Sequence, residues 1–553
     1  MELDQSVNDL DRLRFALILG LAICVLGVIL SLQVSLFGLS SQNLYVNSFH
    51  VLFVRNETLV FFLLFGALLL VRTYLFSSRF LPVWPCPLRN DFLRRLPWLG
   101  SLALGVVFLA WLGDFMVLHS FPLSNDEYLP RFQAQIFLSG KIKADMPIEL
   151  REFGKALTPI FVSFNPEEGT WVSSYLPVYA LLRTGFLALG VESLTNPFLA
   201  GLSIVLLAAI ARRMWPQEQT APFIAVILLA SSSQFLVTSM TSYAMPAHLC
   251  FNLAWLYFYI RGDRLGDLVT PWIGFFALGL HNPFVHALFV APFLIMSLWQ
   301  RNWRLICYFV FVYATGCILW YFWWTRVVLF SSDDMSVFQL PVAYQLLIQP
   351  MNLTLLFAWQ SFTLTVLAFL SLHKWRYLTG IFRPLAIGCI LTLLFYCFFP
   401  YDQVLGWGYR FFYGVLGNLV LLAVAGWYRL RESVGARKAW GFVLIGTALA
   451  VLVQFPLRCI QVESFVRPFA KSAQYVQSLP QSFVVIDPEK VWFAQLLVRN
   501  DPLWSTYPKV LFSSYLTENH LNKLSGLGEV HAVQPAELAK CGLHTIAPRI
   551  DAR

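Results

Sequence analysis

Long apolar runs separated by short polar segments dominate the chain from residue 14 to residue 456. A helix needs ~20 apolar residues to cross ~30 Å of hydrocarbon, and shorter runs are tolerated inside bundles. On that measure the pattern predicts about thirteen spans, at 14–37, 58–76, 97–118, 196–211, 221–238, 245–260, 268–282, 283–299, 303–329, 350–371, 377–399, 411–428 and 439–456. The apolar stretch 175–190 holds Pro177 and Arg183 and reads instead as a helix lying in the membrane interface. After residue 457 the pattern changes in kind. Short apolar runs at 483–486 and 510–512 alternate with amphipathic stretches at 489–499 and 516–526, which predicts a small α/β domain. The expected organisation is an N-terminal pair of spans with its loop (1–96), a transmembrane module (97–456) and a C-terminal domain (457–553).

Composition strengthens the membrane reading. Hydrophobic residues make up 58% of the chain, charged residues 12%, and mean hydropathy is +0.65, values that a soluble domain does not reach. The net charge of +9 does not signal nucleic acid, because the Lys and Arg residues sit in short clusters between apolar runs. Such clusters mark cytoplasmic loops. They are Arg72/Arg79/Arg89/Arg94/Arg95, Arg212/Arg213, Arg261/Arg264, Arg301/Arg304, Lys374/Arg376/Arg383 and Arg429/Arg431/Arg437/Lys438. All six fall inside together when 175–190 does not cross, which places the N-terminus in the cytoplasm and the C-terminal domain outside. The nine cysteines show no C-x-x-C spacing and suggest neither a metal cluster nor a disulfide framework. Cys459 and Cys541 alone lie in the C-terminal domain, where one disulfide stays open.

With this topology the polar features collect on the outer side: the loop 119–174, His248, His281-Asn282, Asp333-Asp334 and the segment 400–410. The loop opens with Ser124-Asn125-Asp126-Glu127-Tyr128 directly after a span, so two adjacent carboxylates stand at the membrane surface. A carboxylate there can deprotonate an acceptor hydroxyl or hold a divalent metal against a phosphate; Asp126, Glu127 and His248 are the candidate metal ligands. Asp487-Pro488-Glu489 reads as a cap to a following helix.

The order of several motifs carries a resemblance. Asp126-Glu127-Tyr128, followed by Phe132-Gln133-Ala134 and Gly140-Lys141, resembles the first outer loop of polyprenyl-phosphate-sugar-dependent glycosyltransferases of the GT-C fold. Protein O-mannosyltransferases and the aminoarabinose transferase of lipid A belong to that superfamily. Tyr175-Leu176-Pro177-Val178-Tyr179 is similar to its Y-x-P-x-x segment, and Asn196-Pro197 followed by Ala211-Arg212-Arg213 to its next span. The run 242–248, Ser-Tyr-Ala-Met-Pro-Ala-His, and Trp407-Gly408-Tyr409-Arg410-Phe411 are similar to segments of bacterial members. The likeness covers residues 97–456. Where many bacterial relatives carry Arg-Pro, this chain has His281-Asn282-Pro283, and Phe411 replaces the usual Tyr.

The resemblance implies sugar transfer from a polyprenyl-phosphate carrier to an extracytoplasmic acceptor at the face of a lipid bilayer, with inversion. It implies a bacterial cytoplasmic membrane as the home. Asp126 is the expected base and Glu127 the second choice. Arg410, Tyr409, His248, His281 and Lys155 are expected toward the donor phosphate, and Tyr128, Tyr175 and Trp407 toward substrate. A divalent metal stays open as cofactor. The alternatives are a lipid-linked-sugar flippase or other transporter, and a non-enzymatic envelope scaffold. The scarcity of charge within the spans and the lack of an internal repeat weigh against transport.

Overall fold

A computed structural model describes residues 2–37, 44–76, 97–329, 340, 343–373, 378–399, 403 and 405–545. Arg79, Arg89, Arg94, Arg95, Asp333, Asp334, Lys374 and Arg376 lie outside the described residues. The chain is a multi-pass helical membrane protein, and every predicted span coincides with a helix or a bent helix pair. By length and composition seven helices among the described residues can cross a membrane, and two bent pairs raise this to nine. The expected count of thirteen is therefore not reached on that measure. The other four, Met245–Tyr259, Arg264–Leu278, Pro283–Trp299 and Phe382–Cys397, run to only 15, 15, 17 and 16 residues. Capping side chains start two of these helices: Asp263 accepts from the Gly266 amide ahead of Arg264–Leu278, and Asn282 from the Phe284 amide ahead of Pro283–Trp299, satisfying amides that the first turn leaves free. The stretch 175–190 forms the helix Val178–Ala188 of 11 residues, about 16 Å long and too short to span.

Two spans are broken. Ala221–Ala230 and Ser233–Met240 meet at 60°, and Ile348–Trp359 and Phe362–Leu372 at 115°. In hydrocarbon the backbone freed by a break needs partners inside the protein. Ser232 caps the second helix by accepting from Phe235 N, and Ser361 accepts from Leu364 N. The breaks also bond each other: Ser232 donates to Gln360 Oε1 and Gln360 Nε2 to Gln234 Oε1, both at 2.6 Å. Gln454 reaches in from a π-helical turn, Ala450–Gln454, and donates to the Ala358 and Gln360 carbonyls.

Beside this junction lies a fully buried ion pair. Both guanidinium amines of Arg458 reach Glu57, at 2.8 and 2.7 Å, and the Trp359 indole N–H donates to the same carboxylate at 2.9 Å. Arg458 is 0% exposed and Glu57 2%. The N-terminal helices Glu2–Phe37 and Leu44–Phe76 are thus fastened into the bundle, and Leu13, Leu17, Phe61 and Leu68 join its main core.

The polar loops sort to two ends. Arg431 pairs with Glu218, Arg429 donates to the Ser371 carbonyl and Lys438 to the Leu75 carbonyl, so several basic loops meet. The 19-residue helix Leu416–Val434 separates them from Arg410. At the opposite end, the loop after Pro97–Met116 folds into helix Asn125–Leu138 and an antiparallel sheet in which Thr170–Ser173 pairs with Ala144–Asp145 and Val162–Asn165. The helix Phe455–Ser478 leads into a parallel sheet ordered 509–512, 483–486, 530–532. Phe483, Val485 and Leu511 on one face of this sheet pack with Leu129, Phe132 and Trp171 of the loop 119–174.

The α/β expectation for the C-terminal region holds in its strands, Phe483–Ile486 and Lys509–Phe512, and in helix Glu518–Leu527. The stretch 489–499 differs, forming only the short turn Ala494–Leu497. Val491, Trp492, Phe493 and Ala494 are buried in succession, a run that an amphipathic helix cannot bury on one face. Asp487 correspondingly closes a local turn by accepting from Glu489 N and heads no helix. Cys459 and Cys541 are free thiols.

Removing one partner of a buried pair strands a charge in the bundle. Glu57→Ala is expected to lower stability by about 3–5 kcal/mol, whereas replacing both Glu57 and Arg458 with leucine restores most of it. Detergent denaturation of the single and double variants measures the difference.

Candidate active site

Ser124 starts the helix that carries the two carboxylates. Its extended backbone and side chain accept the Glu127 amide in the manner of an N-cap, and acidic residues in the first turn suit the positive end of the helix dipole. The two neighbouring carboxylates then diverge. Glu127 turns back to accept from the Leu123 amide at 2.8 Å and is 1% exposed. Asp126 faces the bundle, where Arg410 Nη1 donates to its Oδ2 at 2.7 Å and the Tyr175 hydroxyl donates to its Oδ1. Arg410 and Asp126 side chains are 10% and 15% exposed.

Arg410 is held from several directions. Its amide donates to Gln403 Oε1 at 3.0 Å, and Gln403 Nε2 donates to the Gly408 carbonyl at 2.9 Å. Gly408 has φ +73°, and a Cβ there would stand 2.9 Å from both Gln234 and Trp359, so glycine is required both by the turn and by the close approach. The guanidinium lies 5.1 Å from the Tyr243 ring centre and 5.5 Å from that of Phe411, favourable cation–π distances. Asn252 donates to the Gly414 carbonyl and fixes the turn Arg410–Val415 from below.

Behind Tyr175 the two expected histidines follow in line. The Tyr175 and His281 rings are 4.2 Å apart and the His281 and His248 rings 6.4 Å. All four imidazole nitrogens are shielded from solvent and have no hydrogen-bond partner, and neither do Arg410 Nε and Glu127 Oε1. Buried polar atoms left this way cost free energy, and their concentration here marks a place built to meet a polar ligand. A small cavity beside them is lined by Gln133, Ser173, Tyr175, Tyr179 and His281.

The structure therefore brings Asp126, Tyr175, His281, His248 and Arg410 into one cluster, with Glu127 at its edge. Other expected residues stand elsewhere. Tyr128 points to the C-terminal domain and donates to the Asn500 carbonyl at 2.5 Å. Trp407 is buried between Trp359 and Phe465 with its indole N–H unpartnered, and the Tyr409 hydroxyl donates to Gln349. Lys155 is exposed on the short helix Gly154–Leu157. Among the described residues no three His, Cys, Asp or Glu side chains gather closely enough to hold a metal ion, and the Asp126 oxygens are already engaged by Arg410 and Tyr175. Among the described residues the cluster does not make a metal centre.

Burial opposes ionisation of both carboxyls, with opposite outcomes. At Asp126 the Arg410 charge, helped by His281 and the Tyr175 hydroxyl, outweighs burial and holds the carboxyl below its usual range. At Glu127 burial wins over the Leu123 amide and the Arg499 charge and pushes the carboxyl up to about 8. At neutral pH the pair is one carboxylate and one carboxylic acid.

No protein-family model matches the chain, and no curated protein does. Among solved structures, ArnT from Cupriavidus metallidurans bound to undecaprenyl phosphate superposes with a TM-score of 0.51 at 13% identity, over 75% of this chain and 86% of that one. The chain has the GT-C fold. The apo structure of the same ArnT gives a TM-score of 0.49, also at 13% identity, over 74% and 84%.

Within this GT-C fold the structure adds residues that the sequence pattern does not single out. Tyr243 lies inside the motif run 242–248 yet was not expected at the site; its ring stands beside Arg410 and its hydroxyl donates to the Leu405 carbonyl. Gln133 stands in the motif Phe132-Gln133-Ala134 but was given no role at the site, and Gln403 and Arg499 carry no local signal, because the groups they bond there are backbone atoms.

Glu127 gives a test by pH. Its folded value near 8 lies above the ordinary value of 4.5, so the unfolded chain releases this proton first and stability falls as pH rises between those values. Glu127→Gln removes the titration. The variant is expected to match wild type near pH 4 and to gain on it progressively up to about pH 8, as read by thermal unfolding across that range.

Proposed function

We propose that this protein is a glycosyltransferase that moves a sugar from a polyprenyl-phosphate carrier to an acceptor on the outer face of a bacterial cytoplasmic membrane. The observation that carries this reading is the buried Asp126–Arg410 pair surrounded by unpartnered nitrogens of His248 and His281. The site joins a base to anion-binding groups, which is what transfer from a phosphate leaving group needs. The fold shared with ArnT, solved with undecaprenyl phosphate, supports the class of carrier. The basic clusters of the sequence support an inward N-terminus and an outward site.

In this mechanism the acceptor oxygen attacks the anomeric carbon from the side opposite the phosphate. The bond between that carbon and the phosphate oxygen breaks, its electron pair stays on the phosphate, and the acceptor proton passes to Asp126. The sugar is inverted. Arg410, His281 and His248 face the departing phosphate, where charge-assisted hydrogen bonds stabilise the leaving group. Arg410 links the two halves of the reaction. While it pairs with Asp126 it weakens that carboxylate as a base. A donor phosphate that draws the guanidinium away restores basicity at the moment a sugar is present. Glu127, protonated at neutral pH, holds the turn through Leu123 and leaves proton uptake to Asp126.

The broken spans favour a second reading, since interrupted helices line the binding sites of many transporters. Here, however, Ser232, Gln360 and Gln454 spend their hydrogen bonds on one another and on backbone, an arrangement suited to a closed joint more than to a substrate path.

Purified wild type is expected to transfer radiolabelled sugar from a panel of polyprenyl-phosphate donors to membrane extracts. Asp126→Asn should reduce turnover by about 10²–10⁴-fold. Undiminished transfer by an Asp126→Asn, Glu127→Gln double variant would sink the mechanism. Movement of labelled lipid across a bilayer without covalent transfer would favour the transporter.

A further inference from the structure

The segment 499–504 of the C-terminal domain lies against the turn that carries the two carboxylates. Arg499 Nη2 donates to the Leu123 carbonyl at 2.9 Å, and the amide of the same Leu123 donates to Glu127. The guanidinium also sits 4.4 Å from the Phe121 ring centre and 5.4 Å from that of Tyr128. No carboxylate pairs with Arg499 among the described residues, and its Nε is buried without a partner. Burying a cation without an ion pair is costly, so its grip on residues 121–128 offsets a penalty that a surface arginine would not incur.

Asn500 extends the grip. Its side chain donates to the carbonyls of Leu157 and Val510 at 2.7 and 2.8 Å and accepts from Val510 N at 2.9 Å, while its own carbonyl receives the Tyr128 hydroxyl. One residue thereby ties the helix of Asp126, the outer loop and the C-terminal sheet. Two residues on, the Pro502 carbonyl accepts from the Trp171 indole at 3.1 Å, and Trp171 stacks on Trp504 with ring centres 4.4 Å apart and planes within 5°. The Trp504 indole returns a bond to the Asp145 carbonyl at 3.0 Å.

We propose that Arg499 and Asn500 are positioning residues for Asp126 and Glu127, and that the C-terminal domain serves the reaction as a brace that fixes the first turn of helix Asn125–Leu138. The proposal rests on reading the Asp126 cluster as the active site. Asp126 must face Arg410 while Glu127, one residue away, faces Leu123. A small rotation of the turn would misalign both. Arg499 and Asn500 hold that turn through Leu123 and Tyr128, joining two regions more than 370 residues apart.

The experiment compares full-length wild type with Arg499→Gln, Arg499→Lys and Asn500→Ala by hydrogen exchange and by sugar transfer. Arg499→Gln is expected to speed exchange of the amides of residues 121–129 and to lower kcat by about 10- to 100-fold, with the donor KM unchanged. Arg499→Lys, which keeps a donor toward Leu123, should restore both in part. Lys523→Ala removes a surface ion pair to Glu152 on the same domain contact and should alter neither. Folded Arg499→Gln protein with unchanged exchange at 121–129 and unchanged kcat overturns the brace. Asn500→Ala is expected to unfasten the same amides; should it fail to fold, the two Arg499 variants decide between brace and no brace. Faster exchange in Arg499→Gln, together with no transfer by wild type from any donor, would uphold the brace and overturn only the reading of the reaction.

Discussion

The ion pair between Asp126 and Arg410 is the contact on which the site depends. It closes over 284 residues of sequence and joins the loop 119–174 to the turn that opens helix Leu416–Val434. A pair this buried survives only where further hydrogen bonds and aromatic surfaces offset the loss of water. Tyr175, Gln403, Tyr243 and Phe411 supply them. The surrounding structure keeps the two ends of this pair in place: Gly408 lets the chain pass close under Gln234 and Trp359, and Asn252 anchors the turn Arg410–Val415. Trp323 and Trp324, in a π-helical turn, hold the backbone of Tyr175 and Ser174.

A second ion pair performs a different task. Glu57–Arg458 is also desolvated, yet every oxygen of its carboxylate already has a donor within the protein. Of that pair Arg458 Nε alone lacks a partner, whereas the Asp126 cluster leaves Arg410 Nε, Glu127 Oε1 and all four imidazole nitrogens of His248 and His281 without one. That contrast separates a fastening from a site more clearly than charge or burial does. It also changes the standing of the N-terminal helices, which the motif resemblance leaves out. They join the main core, and through Arg458 they touch the helix that leads to the C-terminal domain.

Much of the fold was legible because hydrocarbon permits so few backbone solutions: apolar runs must be helices, and the thirteen expected stretches are helical. Their bends were less legible. The breaks near Ser232 and Gln360 depend on partners that hydropathy does not register. At the site, residue type and motif order pointed to Asp126, Arg410, Tyr175, His248 and His281, and these converge. Motif proximity misled at Tyr128, which neighbours both carboxylates in sequence but turns away on the helix, since adjacent helical residues do not share a face. Arg499 was illegible for the opposite reason. It acts on a backbone carbonyl, and any residue at position 123 would present one.

At 13% identity to ArnT the resemblance is carried by few positions, and the geometry explains why so few suffice. Most of the bundle needs only apolar side chains of compatible volume, a requirement that many sequences meet. The constraints that this geometry sets at the site are local: a glycine at Gly408, a cation at Arg410, a carboxylate at Asp126 and a cap at Ser124. His281 faces the cluster, its ring tilted against that of Tyr175 with centres 4.2 Å apart and both nitrogens unengaged. An imidazole carries less charge than a guanidinium at neutral pH, so a phosphate bound here would lean more heavily on Arg410. The proposed chemistry thus rests on a single strong cation that must serve Asp126 and the leaving group in turn.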